Sequence, residues 1–456
     1  MSSSTNGTKS PKEIRIAVVG GGIGGLALTI GLLKYPHLSP HIWEAAPAFS
    51  EIGAGVASGA NAVRAIGLID ERLIAAYKRC ATYDASPGTE ALWFNVRHGM
   101  PGRGNAEGAK PGEVIYQIPY SNPEDLKLDA RARSCVHRAQ LLDEMVKLIP
   151  MENVSFQKTF VDFEIVTPEE RGEGGAVKLS FADGTTATAD VVIGCDGIKS
   201  AVRKAVMRGT GREVEPVYTG DFAYRCLVPT EEAKRVLGEK LGTTGSLYSA
   251  YTGYSAQYPV SGGAFYNMII IRRDPSWDPN SGEPPVWPSE QWVLPAGKET
   301  MMHDLKGWHP PSLELMERFS PCDRWALFHL PHNEPYVHSS GAVALMGDAA
   351  HASTPHTGAG AGMAMEDAFV LGNLFGELTD ADEMPALLMA YDAVRRPRTQ
   401  TLVQYSRRSG DIMMEVQNNL EARQEMGDIY KWIWTEDLEG ELDTAKRIFR
   451  VNLAST

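Results

Sequence analysis

Cysteine is scarce: five residues in 456, at Cys80, Cys135, Cys195, Cys226 and Cys322, with no Cys-x-x-Cys pair. That excludes a disulfide framework and a zinc ribbon, and it favours a reducing compartment, read here as the cytoplasm. Positive charge is also short, with 44 Lys and Arg against 57 Asp and Glu and a formal net charge of −13. An acidic chain of this kind offers neither a nucleic-acid footprint nor a basic membrane-binding patch. Long uncharged apolar runs are missing apart from Ile14 to Leu33. That stretch has the length of a membrane span or signal segment, but its glycines give it another reading, and no membrane span is expected. No metal-ligand set is present either, since His351 and His356 stand near each other without a suitable third ligand.

What remains is an ordinary globular mix of 43% hydrophobic and 22% charged residues, long enough for two or three domains. Glycine is the exception, at 45 residues where average usage of ~7% gives about 32. The first cluster follows the β-branched run Ile14-Arg15-Ile16-Ala17-Val18-Val19 and precedes a helix-forming segment from Leu26 to Leu33. Gly20, Gly22 and Gly25 satisfy GxGxxG. In that motif the first glycine allows the tight turn, the second lets the backbone approach a pyrophosphate, and the third allows close helix-to-strand packing. A second strand ends at Glu44, about twenty residues on, where a carboxylate accepts the hydrogen bonds of an adenosine ribose. The βαβ unit therefore predicts a dinucleotide site, with NAD and FAD both open.

Two later strands also end in glycine-bearing turns. Ala189 to Gly194 leads into Cys195-Asp196-Gly197, with Arg203 beyond it. Gly341 to Met346 leads into Gly347-Asp348 and then Pro355-His356-Thr357-Gly358-Ala359-Gly360-Ala361-Gly362. A strand end presenting one carboxylate, followed by a Pro/Gly loop and a helix N-terminus, suits a polyol chain and an electron-poor ring edge.

In this order the motifs resemble those of the group A FAD-dependent aromatic hydroxylases, and of their salicylate hydroxylase-like branch in particular. Val394-Arg395-Arg396-Pro397-Arg398 is similar to that branch as well. The resemblance implies an α/β fold: a Rossmann-like FAD-binding domain, an interrupting antiparallel-sheet substrate domain and C-terminal helices. It implies bound FAD, with NADH or NADPH as a transient co-substrate and dioxygen as oxidant. Glu44 would hold the adenosine ribose and Asp348 the ribityl chain. Pro355, Gly358, Gly360, Ala361 and Gly362 would meet the isoalloxazine edge, Arg138 the phosphates and ribityl, and Asp196 both FAD and the nicotinamide donor.

The expected boundaries are a disordered tail over 1–12, an FAD-binding domain from 13–80, 110–205 and 335–400, a sheet domain from 81–109 and 206–334, and helices over 401–456. The sheet assignment rests on alternating patterns such as Phe222 to Pro229 and Phe265 to Ile271. A Pro/Gly/Ser-rich loop is expected over Ser281 to Glu290, and a helical stretch over Tyr391 to Asn419 with an interruption at Pro397.

The family's reaction passes through a flavin hydroperoxide that attacks an electron-rich ring, so the protein must hold a phenol close to its phenolate. Arg225 and Tyr258 resemble the arginine and tyrosine that position phenolates in related fungal polyketide hydroxylases. His356 resembles the pocket histidine of salicylate hydroxylases, placed to take the phenolic proton. Arg272 and Arg273 are further candidates to anchor a carboxylate. Thr357 and Cys226 depart from the branch pattern, in which Gln and a small residue are common. The expected substrate is a small phenolic aromatic, a salicylate-like hydroxybenzoate, with or without decarboxylation. The alternative is hydroxylation or oxidative dearomatisation of a bulkier polyketide phenol. A flavin-dependent halogenase ranks low, because Trp432-Ile433-Trp434 is not followed by the Ile-Pro of the halogenase signature, and so does a non-catalytic dinucleotide-binding protein. A monomer or a homodimer is expected.

Overall fold

The computed structural model describes residues 13–49, 55–83, 92–102, 107–120, 134–167, 175–208, 210–277 and 285–455. The tail expected over 1–12 and the first part of the 281–290 loop lie outside the described residues.

Ile14–Val19 is a strand, as its β-branched run predicts, and it lies at the centre of a five-stranded parallel sheet. The order is 343–345, 191–194, 14–19, 38–43 and 154–155. Val191–Gly194 and Val343–Leu345 are buried throughout, as parallel strands covered on both faces must be. Strands that run the same way end at the same edge. The Gly20 turn, Cys195-Asp196-Gly197 and Gly347-Asp348 are thereby brought together from distant parts of the chain.

Glycine is required at two positions of this junction. Gly20 has φ +104°, and a Cβ there would lie 2.5 Å from the Cys195 carbonyl oxygen. A Cβ on Gly25 would lie 2.1 Å from the Gly20 carbonyl oxygen. The Ile23–Leu32 helix can therefore begin directly on the turn, and it packs along the Gly360–Gly376 helix.

The second large element is an eight-stranded sheet, ordered 293–295, 323–329, 217–229, 265–273, 253–260, 246–250, 92–98 and 114–119. Its pairs are antiparallel except 92–98 with 246–250. One face is covered by the helices Thr230–Leu237, Lys298–Asp304 and Pro310–Phe319. The opposite face meets a cluster that includes Ala57, Met363 and side chains from the C-terminal helices.

Two expected boundaries shift. The sequence places residues from 110 onward in the FAD-binding domain, yet Val114–Pro119 pairs with Leu92–His98 at the edge of the eight-stranded sheet. A strand has no partner of its own, and this one completes the nearest free edge. The boundary at 400 falls inside one continuous helix, Met384–Glu415, which contains Pro397 without ending there. Proline removes one helical N–H and normally kinks or breaks a helix. Here Arg395, two residues before the proline, and Arg398, just after it, are both tied to the buried Glu366 carboxylate, at 3.0 and 2.7 Å, which holds the two halves in line.

That tie belongs to a wider buried network. Glu366 and Asp367 are completely buried in the Gly360–Gly376 helix. Arg395 donates to Asp367 at 2.8 Å and to Glu441 at 2.7 Å, and Asn61 donates to Glu366 at 2.8 Å. Asp367 also accepts from the Gly347 N–H at 3.1 Å and is bonded to His351 Nε2 at 2.6 Å. Its carboxyl is held down at about 2, because His351 and Arg395 outweigh the cost of burial. Removing one partner of a buried ion pair costs about 3–5 kcal/mol, since the other charge is left without compensation. We expect Arg395→Met to lower unfolding free energy by that amount in urea titrations. A loss below about 1 kcal/mol would show that the network is not under this constraint.

Candidate active site

A cavity of about 710 Å³ is lined jointly by the glycine turns of the parallel sheet and by one face of the eight-stranded sheet. Its size is within the range of ligand and cofactor sites.

At the parallel-sheet end, Gly20, Gly22, Glu44, Asp196 and Asp348 all line the cavity. A Cβ on Gly22 would meet nothing within 4 Å, so the turn presents bare backbone to the space. Glu44 accepts from the Gly21 N–H at 2.6 Å and from the Ala46 N–H at 2.7 Å, which fixes its carboxylate beside the turn. Asp348 begins a short helix, is exposed to the cavity, and has no hydrogen bond or ion pair among the described residues. Open backbone, a fixed carboxylate and a second carboxylate without donors suit a ligand carrying phosphates and several hydroxyls. These residues therefore fit an FAD.

Asp196 is partly committed elsewhere. Its carboxylate accepts from the Ala201 and Val202 N–H groups at 2.7 and 3.1 Å, capping the Ala201–Met207 helix. Burial nevertheless raises its pKa. Arg203 is fully buried and donates to the Ile198, Val214 and Ala349 carbonyls, at 2.7, 3.0 and 2.9 Å, so it ties the second glycine turn to the third. Arg138 lines the cavity from the first turn of the Arg138–Val146 helix.

Pro355, His356, Thr357, Gly358, Gly360 and Ala361 also line the cavity. Gly25 and Gly362 do not. Gly25 sits under the Gly20 turn, and Gly362 faces Ala62, where a Cβ would lie 3.0 Å from the Ala62 Cβ. Gly362 thus packs against a neighbouring helix on its Cα side and lies outside the cavity lining. His351 is held by Asp367 and does not reach the cavity.

The eight-stranded sheet presents alternate residues to the cavity, as strand geometry dictates. Tyr254, Ala256 and Tyr258 come from one strand and Asn267, Ile269 and Ile271 from its neighbour. Arg225 lies in one row across three strands, paired with Ile269, which pairs with Ala256. Its guanidinium stacks 3.5 Å from the Trp325 ring centroid and has no hydrogen-bond or ion-pair partner among the described residues. Burial and the nearby Arg138 lower its pKa, while Asp323 acts in the opposite direction without reaching ion-pair distance. Cys226, one residue on, points to the opposite face and touches Met316, which removes it from the substrate side. Arg272 and Arg273 do not line the cavity; Arg273 is paired with Asp221 and Asp411 at 2.8 and 2.6 Å.

Tyr258 lines the cavity but donates its hydroxyl proton to the Gly55 carbonyl at 2.8 Å. His356 is fully buried, and desolvation together with Arg407 pushes it down to about 3, so its ring is neutral near pH 7. Its Nδ1 is 2.9 Å from the Tyr254 hydroxyl. Tyr254 is the residue that sequence reasoning missed, although it shares the cavity-facing parity of Tyr258 in Gly253–Val260. Tyr430 and Trp93 complete the apolar wall from remote elements, and no local pattern announces them.

For the FAD implied by the motif order, we expect Asp348→Ala to weaken binding roughly 10- to 100-fold. Hydrogen bonds to a charged group contribute about 1.5–3 kcal/mol. Fluorescence titration of the apoprotein checks this, and unchanged affinity would remove Asp348 from the cofactor site.

The FAD binding domain family matches residues 326–406. The chain is 38% identical to a 6-methylsalicylate 1-monooxygenase of Aspergillus terreus, covering 96% of this chain and 92% of that protein. It is 36% identical to a salicylate hydroxylase of Pseudomonas putida, covering 95% and 94%. A solved salicylate hydroxylase substrate complex superposes with a TM-score of 0.78 at 32% identity, covering 96% and 98%. Three ordered glycine motifs around one cavity and these full-length similarities identify the chain as an FAD-dependent aromatic monooxygenase of the salicylate hydroxylase-like branch of the group A flavoprotein hydroxylases.

Proposed function

We propose that this enzyme hydroxylates a salicylate-like hydroxybenzoate, with loss of the carboxyl group as carbon dioxide when the attacked carbon carries it. The observation that carries the proposal is Arg225, a cavity-lining guanidinium without an anionic partner among the described residues, set in an otherwise apolar wall. A buried cation of this kind binds an anion strongly. A hydroxybenzoate supplies one as carboxylate or phenolate, together with a ring to lie against Ile269, Ala256 and Leu247. The relatives named for salicylate and 6-methylsalicylate support this substrate class.

In this reading Glu44 holds the adenosine ribose, the Gly20 to Gly22 backbone and Arg138 the phosphates, and Asp348 the ribityl chain. The isoalloxazine edge lies against Pro355, Gly358, Gly360 and Ala361. FAD, when bound and reduced, activates dioxygen and delivers one oxygen atom to the ring. Arg225 orients the substrate anion, the Tyr258 hydroxyl donates to the Gly55 carbonyl and so offers the substrate only an acceptor oxygen for a phenolic O–H, and the aromatic wall of Trp93 and Tyr430 excludes water. NADH or NADPH is a transient electron donor, since no second GxGxxG is present. The five free cysteines support a reducing compartment such as the cytoplasm, and among the described residues no helix is long and apolar enough to cross a membrane.

The test measures NADH and NADPH oxidation with 2-hydroxybenzoates and with bulkier polyketide phenols, identifying products by mass. Absence of an oxygen-dependent product from any phenolic acid overturns the proposal, and turnover of the bulkier phenols alone favours a polyketide substrate. Arg225→Ala should lower kcat/KM roughly 30- to 150-fold, the equivalent of about 2–3 kcal/mol, with FAD retained. Unchanged turnover would remove Arg225 from the substrate site.

A further inference from the structure

A row of buried proton-bearing groups leads from the cavity, and the motifs do not announce it. His356 is the expected acceptor, yet neither ring nitrogen is free toward substrate. Nδ1 faces the Tyr254 hydroxyl at 2.9 Å, and Tyr254 itself lines the cavity. On the far side, Nε2 is buried, makes no hydrogen bond, and lies 3.9 Å from Asp221 Oδ2. The ring is backed by Gly410 of the long helix, where a Cβ would come within 2.7 Å of Nε2. Glycine there leaves the imidazole room to sit between tyrosine and carboxylate. A movement of about 1 Å closes the longer gap to hydrogen-bond distance.

We propose that Tyr254 is the catalytic residue that takes the phenolic proton, and that His356 relays it to Asp221. This rests on the hydroxylase reading above. The transfer balances as a shuttle: the substrate O–H bond breaks as Tyr254 gains a proton, and Tyr254 gives its own to His356 Nδ1. His356 releases the Nε2 proton to Asp221, leaving phenolate in the cavity and a neutral acid at Asp221. The reverse sequence returns the proton to the product oxygen, and no oxidant or reductant is involved.

The surrounding charges suit those roles. His356 faces Arg407 and Arg273, which with burial oppose a standing positive charge, and also Asp411 and His329. A relay that stays neutral at rest needs that opposition. Tyr254 is held far above the usual tyrosine range by burial, with Tyr430, Asp221 and Tyr258 around it, so it starts protonated. Asp221 is raised by burial even though Arg273 binds it and Arg407 lies nearby, with Asp411 and Tyr218 also close. A carboxylate with raised proton affinity at the end of a neutral relay is a fitting acceptor. Arg273 pairs with it at 2.8 Å and bridges it to the partly exposed Asp411.

The sign of the pH effect follows. The acceptor is available above the folded pKa of Asp221 and is lost as pH falls through it. The wild-type acid limb therefore reports Asp221, whereas Asp221→Asn should shift it upward toward the phenol's own pKa in solution.

The experiment uses FAD-loaded wild type, Tyr254→Phe and Asp221→Asn, with a salicylate and with ring-nitrated analogues that are already phenolate at neutral pH. Absorbance of the bound phenolate on the oxidised holoenzyme gives a readout independent of turnover. Expected are at least a 30-fold loss of kcat and loss of bound phenolate with salicylate in both variants. Near-wild-type values should return with the acidified analogues, which also shows that the variants are folded. Equal losses with both substrate types, or an unmoved acid limb in Asp221→Asn, would overturn the relay. Wild type inactive on every phenol would instead overturn the hydroxylase reading.

Discussion

A single buried carboxylate joins the parts on which the site depends. Asp367 accepts the Gly347 N–H of the third glycine turn, holds His351 after it, and receives Arg395 from the long C-terminal helix. The Gly360–Gly376 helix that carries it also carries the glycine loop at its N-terminus. Taking such a charge out of water is costly unless every lone pair is matched. The matching partners come from three separate segments, so satisfying Asp367 and Glu366 forces the turn, the loop and the helices into one arrangement. Arg203 does the same for the second turn through three carbonyls. The glycine-turn end of the cavity is thus fixed by buried polar chemistry more than by apolar packing.

The substrate end is built on another principle. There the sheet supplies position through backbone pairing and leaves side chains to alternate toward the cavity. Arg225, Ile269 and Ala256 share a row because of register alone. The two ends meet at the Pro355–Thr357 turn, where Thr357 lies beside the cofactor loop and His356 beside the sheet.

These differences explain what the sequence disclosed. The Gly20 turn, Glu44 and Gly347-Asp348 were legible because glycine and carboxylate requirements are local to a strand end. Arg225 and Tyr258 could be named through family likeness, and strand alternation then places them on one face. Tyr254, Asp221 and Gly410 were not legible as a set, since their relation exists only once a strand, a turn and a distant helix are packed together. A glycine-rich run does not say which glycine lines a cavity and which packs on another helix, as Gly358 and Gly362 show. Pro397 misled for a related reason: local helix-breaking tendency was overridden by Arg395 and Arg398 gripping one buried glutamate from either side.

The alternation of the eight-stranded sheet has a consequence for how such an enzyme can diverge. Ala256, Ile269 and Leu247 project into the cavity while their main-chain groups alone maintain the sheet. Exchanging them reshapes the cavity wall without touching the buried charges that hold the glycine turns. The Met384–Glu415 helix has no such freedom, because it touches the cofactor loop through Ser406 and the His356 ring through Gly410. The cavity wall can therefore drift in three strands, while the helix holds the Pro355–Thr357 turn and the His356 ring in place.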